Sequence, residues 1–149
     1  MSKTIDYTEV KVGDEIPVKT LKIDQEFIDN YAHICGDYNP LHVDLEEAAK
    51  SMFKGTIAHG TINVEPILQA IGNYLGTYWP TEGTKIDLMF RAPVRPGETI
   101  SSKAVVKQKR PKSFIKAGAG QNTLICDIFT VNDKGTECVR GTADIIVPD

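Results

Sequence analysis

Asp37 and His42 stand five residues apart in the run Cys35-Gly36-Asp37-Tyr38-Asn39-Pro40-Leu41-His42-Val43-Asp44. A regular helix cannot span that run. Pro40 has no amide hydrogen and biases Asn39 toward extended backbone, while Gly36 readily ends a helix. The expectation is a short, stiff loop that holds a carboxylate and an imidazole in fixed relation. Imidazole titrates nearer neutrality than any other side chain, and with a carboxylate held beside it the pair can take a proton from one substrate and return it. The same residues are also good turn formers. Asp and Asn side chains bond nearby backbone amides, and His42 could simply cover a core edge, so turn chemistry alone leaves both readings open.

The flanking sequence has to position this loop. Residues 15–23 alternate like a strand, and Asp24 then suits a helix cap. Phe27, Ile28, Tyr31 and Ile34 recur at helical spacing, which predicts a short amphipathic helix ending at Gly36 and feeding the chain into the Asp/His loop. A second short helix is expected over residues 45–52, with the acidic start Asp44-Leu45-Glu46-Glu47 matched to the positive end of a helix dipole. Val64, Ile67, Leu68, Ile71 and Leu75 form one apolar stripe, and the helix carrying them is expected at the centre of the fold. Pro66 requires that helix to begin near Asn63 or to be kinked.

Just before this helix, the amides of Gly60, Thr61 and Ile62 lie where unsatisfied donors and the dipole favour developing negative charge. They form a candidate oxyanion site, the alternative being that Gly60 only supplies a turn which His59 supports. The second half of the chain reads as antiparallel strands. Ile86, Leu88 and Phe90 alternate with Lys85, Asp87 and Arg91; Pro96-Gly97 makes a turn; further strands are expected over 100–106, 123–131 and 138–147, with residues 132–135 as a hairpin connection. A helix-rich half followed by a strand-rich half is α+β order, not the alternation of a nucleotide-binding sheet, and the chain has no Gly-rich phosphate loop.

Gly36-Asp37-Tyr38-Asn39-Pro40-Leu41-His42, preceded by Tyr31 and followed by Ala48, resembles the hydratase 2 signature of the MaoC-like dehydratases, the (R)-specific enoyl-CoA hydratases. Ile57-Ala58-His59-Gly60 is similar to the segment that opens the family's central helix. Phe90-Arg91-Ala92-Pro93-Val94 with Pro96-Gly97 is similar to its strand and turn after the helix. The resemblance extends loosely from about residue 15 to the end. It implies the hotdog fold, a long central helix wrapped by a curved antiparallel β-sheet, and reversible addition of water across the 2,3 double bond of an acyl thioester. It assigns Asp37 and His42 as the catalytic pair and the Gly60 amide as the group polarising the carbonyl. Asn39, His59 and Thr61 are further candidate substrate-binding residues, Asn39 as a support for the loop or the imidazole rather than as a proton carrier. Coenzyme A would be part of the substrate, no separate cofactor is expected, and single-unit relatives dimerise. A hotdog acyl-CoA thioesterase and a non-catalytic acyl-thioester-binding module are the alternatives, the complete Asp/His pair favouring an enzyme over the latter.

Composition agrees with one soluble domain over residues 1–149: apolar residues make up 41% and charged residues 25% of the chain, and no apolar run is long enough to cross a bilayer. Met1-Ser2-Lys3-Thr4-Ile5-Asp6 lacks a basic region followed by an apolar stretch, so no secretory signal is read and the cytoplasm is the expected compartment. Cys35, Cys126 and Cys138 are too few and too scattered for a disulfide framework or a zinc ribbon, and buried free thiols are expected. Cys35 with His42 as its base would make a nucleophile, but a free Cys is more often a small hydrophobe, and Cys35 is expected to pack at a helix end. His33, Asp37, His42 and His59 lack the spacing that puts two ligands on one helical face, so no metal site is expected.

Lys107, Lys109, Arg110, Lys112 and Lys116 cluster between the second and third strands although the net charge is −3. A solvated loop is the default. The functional reading is that Lys109, Arg110 and Lys112 meet coenzyme A phosphates or an acidic acyl carrier protein. Nucleic acid is not expected as a partner, since the overall balance is not basic and no aromatics stand beside the cluster. Residues 52–56 and Tyr74-Leu75-Gly76-Thr77-Tyr78-Trp79 are candidates for lining an acyl tunnel.

Overall fold

Residues 15–23 do not form one strand. The computed structural model, which describes residues 5–76, 80–113 and 120–149, splits them into β1 (Glu15–Ile16) and β2 (Thr20–Lys22). Pro17 has no hydrogen to donate to a ladder, so pairing stops there and resumes after it. Asp24 accepts a 2.8 Å hydrogen bond from the Phe27 amide and caps α1 (Gln25–Cys35), as its sequence position predicts. Gly36 closes the helix in the left-handed region at φ 75°, where a side chain would be strained, and its amide donates to the Ala32 carbonyl at 2.8 Å. Ile28 and Ala32 form the buried stripe of α1, whereas Ile34 is 84% exposed and falls off it. Cys35 is exposed too, a correction to the expected packed thiol; Cys126 and Cys138 are buried.

The loop after Gly36 contains one turn of helix, α2 (Pro40–Val43), followed by α3 (Leu45–Lys50), which is shorter than the sequence spacing suggests. Asp44 caps α3 with two 3.0 Å bonds to the Glu46 and Glu47 amides. The central helix, α4 (Glu65–Leu75), spans 11 residues, roughly 16 Å at the usual rise. It is not kinked. Pro66 lies in its first turn, where a missing amide hydrogen costs nothing, and a 3-10 turn, Gly60–Asn63, precedes it.

Four strands complete the sheet: β3 (Lys85–Phe90), β4 (Thr99–Arg110), β5 (Thr123–Val131) and β6 (Glu137–Ile146). The order is β1-β4-β5-β6-β3, antiparallel throughout, with β2 also on β4. β4 outruns its predicted end at Val106 because a register shift between Val106 and Gln108 lets pairing with β5 continue to Arg110. Residues 132–135 make the expected hairpin, Asn132 Oδ1 accepting from the Lys134 and Thr136 amides at 3.0 Å.

Two apolar clusters hold these layers together. Ile67, Ala70, Ile71 and Leu75 of α4 bury against Val106, Leu124, Cys126, Ile128, Ala143 and Ile145 of the sheet. Each large side chain so buried contributes roughly 1.5–3 kcal/mol before entropy is counted. The second cluster joins Ile28 of α1 to Ile62 of the 3-10 turn, with Ile23, Val94, Ile100 and Cys138 around them. This cluster matters for function, since it fixes the loop after α1 and the turn at Gly60 against one another. Burial raises the Cys138 thiol pKa and pushes that of Cys126 up to about 12, so both thiols are poor nucleophiles. Together these features are the α+β hotdog architecture implied by the motif, with a shorter helix. Among the described residues, no helix is long and apolar enough to cross a membrane.

Candidate active site

Asp37 begins where α1 ends. Its Oδ1 accepts from the Asn39 amide at 3.1 Å, and Asn39 Oδ1 accepts from the Leu41 amide at 3.0 Å, so two successive side chains bend the backbone into α2. Asn39 is thereby engaged as the cap of α2. Pro40, at the first helical position, makes this turn possible and places His42 inside it. Tyr38 braces the outer side, its hydroxyl 2.8 Å from His33 Nδ1.

His42 is fixed from three directions. Its Nδ1 lies 2.8 Å from the Ile57 carbonyl, which can only accept, so Nδ1 carries the proton and Nε2 of the neutral ring keeps its lone pair. The Ile57 amide returns a 3.0 Å bond to the Leu41 carbonyl. Gln25 Nε2 donates to the His42 carbonyl and to Asp29 Oδ1, each at 2.8 Å, and Gln25 Oε1 accepts from Thr56 Oγ1 at 2.7 Å. Thus held, His42 Nε2 faces Asp37 Oδ2 at 3.8 Å; the imidazole is 12% exposed and the carboxylate 54%.

His59 does not stand in the open as a substrate contact. It is 2% exposed, stacks on the His42 ring with centroids 3.9 Å apart, and packs against Tyr31 on another side. Its Nε2 donates to the Asp37 carbonyl at 2.8 Å, which fixes both the loop and the plane of His42. Thr61 is likewise occupied, its Oγ1 sharing a 2.7 Å hydrogen bond with the Tyr31 hydroxyl and tying the 3-10 turn to α1. Ligand-type atoms of Asp37, His42 and His59 lie within 4.8 Å of one another despite the unhelpful spacing in sequence. These are the residues that could hold a metal ion, yet one nitrogen of each imidazole is already spent on a backbone carbonyl.

Gly60 and His42 line the same cleft, about 280 Å³ in volume, together with Phe53, Ile57, Asn63 and Phe90. The Ile62 amide is used within the turn, donating to the His59 carbonyl at 3.0 Å. The Gly60 and Thr61 amides donate to no group among the described residues. A Cβ on Gly60 would come within 3.2 Å of the Phe90 ring. Phe90 alternates with Ile86 and Leu88 as expected, but at the end of β3 it is 56% exposed, with its ring over Gly60.

The basic residues are placed elsewhere. Lys109 Nζ donates to the Tyr7 and Val10 carbonyls at 2.8 and 2.6 Å and sits over the Tyr7 ring, while the neighbouring Ile5 amide bonds the Leu75 carbonyl. That is the end of α4 remote from Gly60. Lys107 pairs with Asp127, and Lys112 with Asp149. Lys107, Lys109 and Arg110 belong to β4 rather than to the connection after it, and Lys116, Thr77, Tyr78 and Trp79 lie outside the described residues. Within one chain, Lys109, Arg110 and Lys112 are therefore not brought to the cleft. Sequence reasoning passed over Gln25 and Asn63. Only a polar residue three positions after Gly60, at the start of an apolar stripe, could have drawn attention to Asn63.

Known proteins resemble this chain in sequence and in fold. An (R)-specific enoyl-CoA hydratase of Rhodospirillum rubrum is 28% identical over 147 residues, covering 95% of this chain and 91% of the relative. A 3-hydroxybutyryl-CoA dehydratase of Methylorubrum extorquens is 36% identical over 85 residues, 55% of this chain and 52% of its own. The solved structure of an unliganded R-hydratase from Pseudomonas aeruginosa superposes with a TM-score of 0.78 at 31% identity, over 98% of this chain and 87% of that one. The sequence profile of the MaoC like domain matches residues 8–127, and this chain belongs to that family.

Proposed function

We propose that this chain catalyses the reversible hydration of trans-2-enoyl thioesters to (R)-3-hydroxyacyl thioesters, on coenzyme A or an acyl carrier protein. The observation that carries the reading is the orientation of His42. Its Nδ1 hydrogen is held by Ile57 and its Nε2 faces the Asp37 carboxylate at 3.8 Å, at a cleft that also exposes the Gly60 turn. The enzyme names of the relatives support the same chemistry.

In this mechanism the thioester carbonyl oxygen accepts hydrogen bonds from the Gly60 amide. A water between Asp37 and His42 loses a proton to one of them as its oxygen bonds C3. The C2=C3 π electrons move toward C1, giving an enolate whose charge the amide stabilises. C2 then takes a proton from the pair, which returns to its starting state, so the elements of one water have been added. His59 and Asn39 act by holding this geometry rather than by touching the reacting atoms. A homodimer is part of the reading, supported by the position of β3 at the sheet edge with Met89 and Phe90 exposed on it.

A series of trans-2-enoyl-CoA thioesters, followed by loss of enoyl absorbance, tests the assignment. Turnover of enoyl substrates without thiol release from saturated acyl-CoA is expected. Thiol release with no hydration would convert the reading to thioesterase, and saturable binding without either product would convert it to a binding module.

A further inference from the structure

Asn63 stands apart from the groups that account for hydration. It is 3% exposed, lines the cleft with His42 and Gly60, and sits among apolar neighbours such as Phe53, Ile57, Phe90 and Pro93. Its Nδ2 donates to the Gly60 carbonyl at 3.3 Å, which fixes which end of the amide is which. Its Oδ1 is buried and accepts no hydrogen bond among the described residues. The position is rigid as well, since the Asn63 carbonyl accepts from buried Thr130 Oγ1 of β5 at 2.7 Å. A buried acceptor without a partner is rare in folded proteins, and one that lines a binding cleft has a natural partner in a donor brought by the ligand.

We propose that Asn63 reads the acyl chain, its Oδ1 accepting a hydrogen bond from a hydroxyl that the substrate carries beyond C3. The inference rests on the hydration reading and specifies its substrate class, hydroxylated 2-enoyl thioesters rather than plain hydrocarbon ones. Because Asn63 Nδ2 bonds the Gly60 carbonyl, Oδ1 of the same amide lies close to the Gly60 turn, so the hydroxyls to compare are those nearest past C3, at C4 to C6. In the hydration reading His42 Nε2 and the Asp37 carboxylate are taken up by the reacting water, which leaves Asn63 Oδ1 as an acceptor for a hydroxyl further along the chain.

The test compares kcat/KM for trans-2-hexenoyl-CoA with its 4-, 5- and 6-hydroxy derivatives, in the wild type and in Asn63→Leu. All four share the same carrier, so the amides of coenzyme A contribute equally. In the wild type at least one hydroxylated substrate is expected to be favoured by about tenfold or more, because a site with a buried acceptor rejects the analogue that leaves it unpaired. The ratio is expected to fall to about one in Asn63→Leu, with a Tm at or above that of the wild type because the orphaned oxygen is gone. A wild-type ratio near one, with trans-2-hexenoyl-CoA turned over, would overturn this inference alone and leave hydration standing. The wild-type ratio decides even if the variant does not fold. No turnover of any of the four would overturn both readings.

Discussion

Replacing Gln25 by Ala removes three hydrogen bonds at once: to the His42 carbonyl, to Asp29 Oδ1 and from Thr56 Oγ1. A neutral hydrogen bond contributes a net of about 1 kcal/mol, and Gln25 is half-buried, so water replaces part of what is lost; the expected destabilisation is about 2 kcal/mol. For a domain of this size that corresponds to a Tm lower by about 4–8 °C. The kinetic consequence is sharper. The His42 carbonyl would lose the bond that holds α2 against α1, and a displacement of about 1 Å at a reacting group costs up to about 100-fold in rate. Because Gln25 does not touch substrate, kcat should fall while KM stays nearly constant. Gln25→Glu separates positioning from simple loss of packing. It keeps the acceptor for Thr56 but turns a carboxylate toward a carbonyl and the Asp29 carboxylate, so it should be worse than Ala at neutral pH. Acid should relieve it: those neighbours hold the introduced carboxyl above its usual range in the folded state, and the penalty is lost as pH falls through that raised value. Thermal denaturation and steady-state kinetics on enoyl-CoA read all of this. A Gln25→Ala variant with wild-type Tm and kcat would refute the claim that this side chain positions His42.

Asp37→Asn and His42→Ala should each lower kcat/KM by about 10²–10⁴-fold, and the double variant should lose no more than the worse single one, since both groups act on one water. Additive losses would mean separate roles. Gly60→Ala brings a methyl within 3.2 Å of the half-exposed Phe90 ring, which can swing aside, so folding should persist while kcat/KM drops about tenfold or more from the obstructed amide; activity unchanged from wild type would remove Gly60 from the mechanism. Cys35 is exposed, so in native protein at pH 8 a thiol reagent should modify one cysteine quickly and the other two only after denaturation. The Cys126 thiol, raised to about 12 by burial and the nearby Asp127 and Asp144 carboxylates, stays neutral in the folded state while its unfolded counterpart ionises near 9. Stability is therefore intact below about pH 9 and lost as pH climbs toward 12, by on the order of 4 kcal/mol, and Cys126→Ala should flatten that alkaline decline in urea titrations.

What the sequence made legible was carried by neighbours along the chain. Asp24 three residues before Phe27, Gly36 after Cys35, and Asn132 ahead of Gly135 each state a cap or a turn in one short run, and the structure places all three as expected. The strands were readable for the same reason: alternation sets the face of each residue, and β5 and the hairpin after it fall at their predicted positions. Boundaries failed where a distant partner decides them. β4 extends because β5 continues beside it past a bulge, and Phe90 stays half-exposed because at the end of β3 its ring meets the Gly60 turn.

The site divides along the same line. Asp37, His42 and Gly60 were visible because each announces its chemistry by type and immediate context. What brings these candidate residues together is contact across sequence distance: Gln25 reaches the His42 carbonyl 17 residues on, His59 reaches back 22 residues to Asp37, and Tyr31 meets Thr61 across 30. No local pattern encodes these bonds, since Gln25 on a helix reads as a solvated residue and His59 as a turn companion. The basic cluster shows the converse error, in which proximity in sequence suggested a shared task. Lys109 and Lys112 instead hold the N-terminal segment and the C-terminal Asp149, because the carbonyls and carboxylate that need them come from opposite ends of the chain. A charged run therefore says that cations are present, and only the folded path says which anions or dipoles are near enough to claim them.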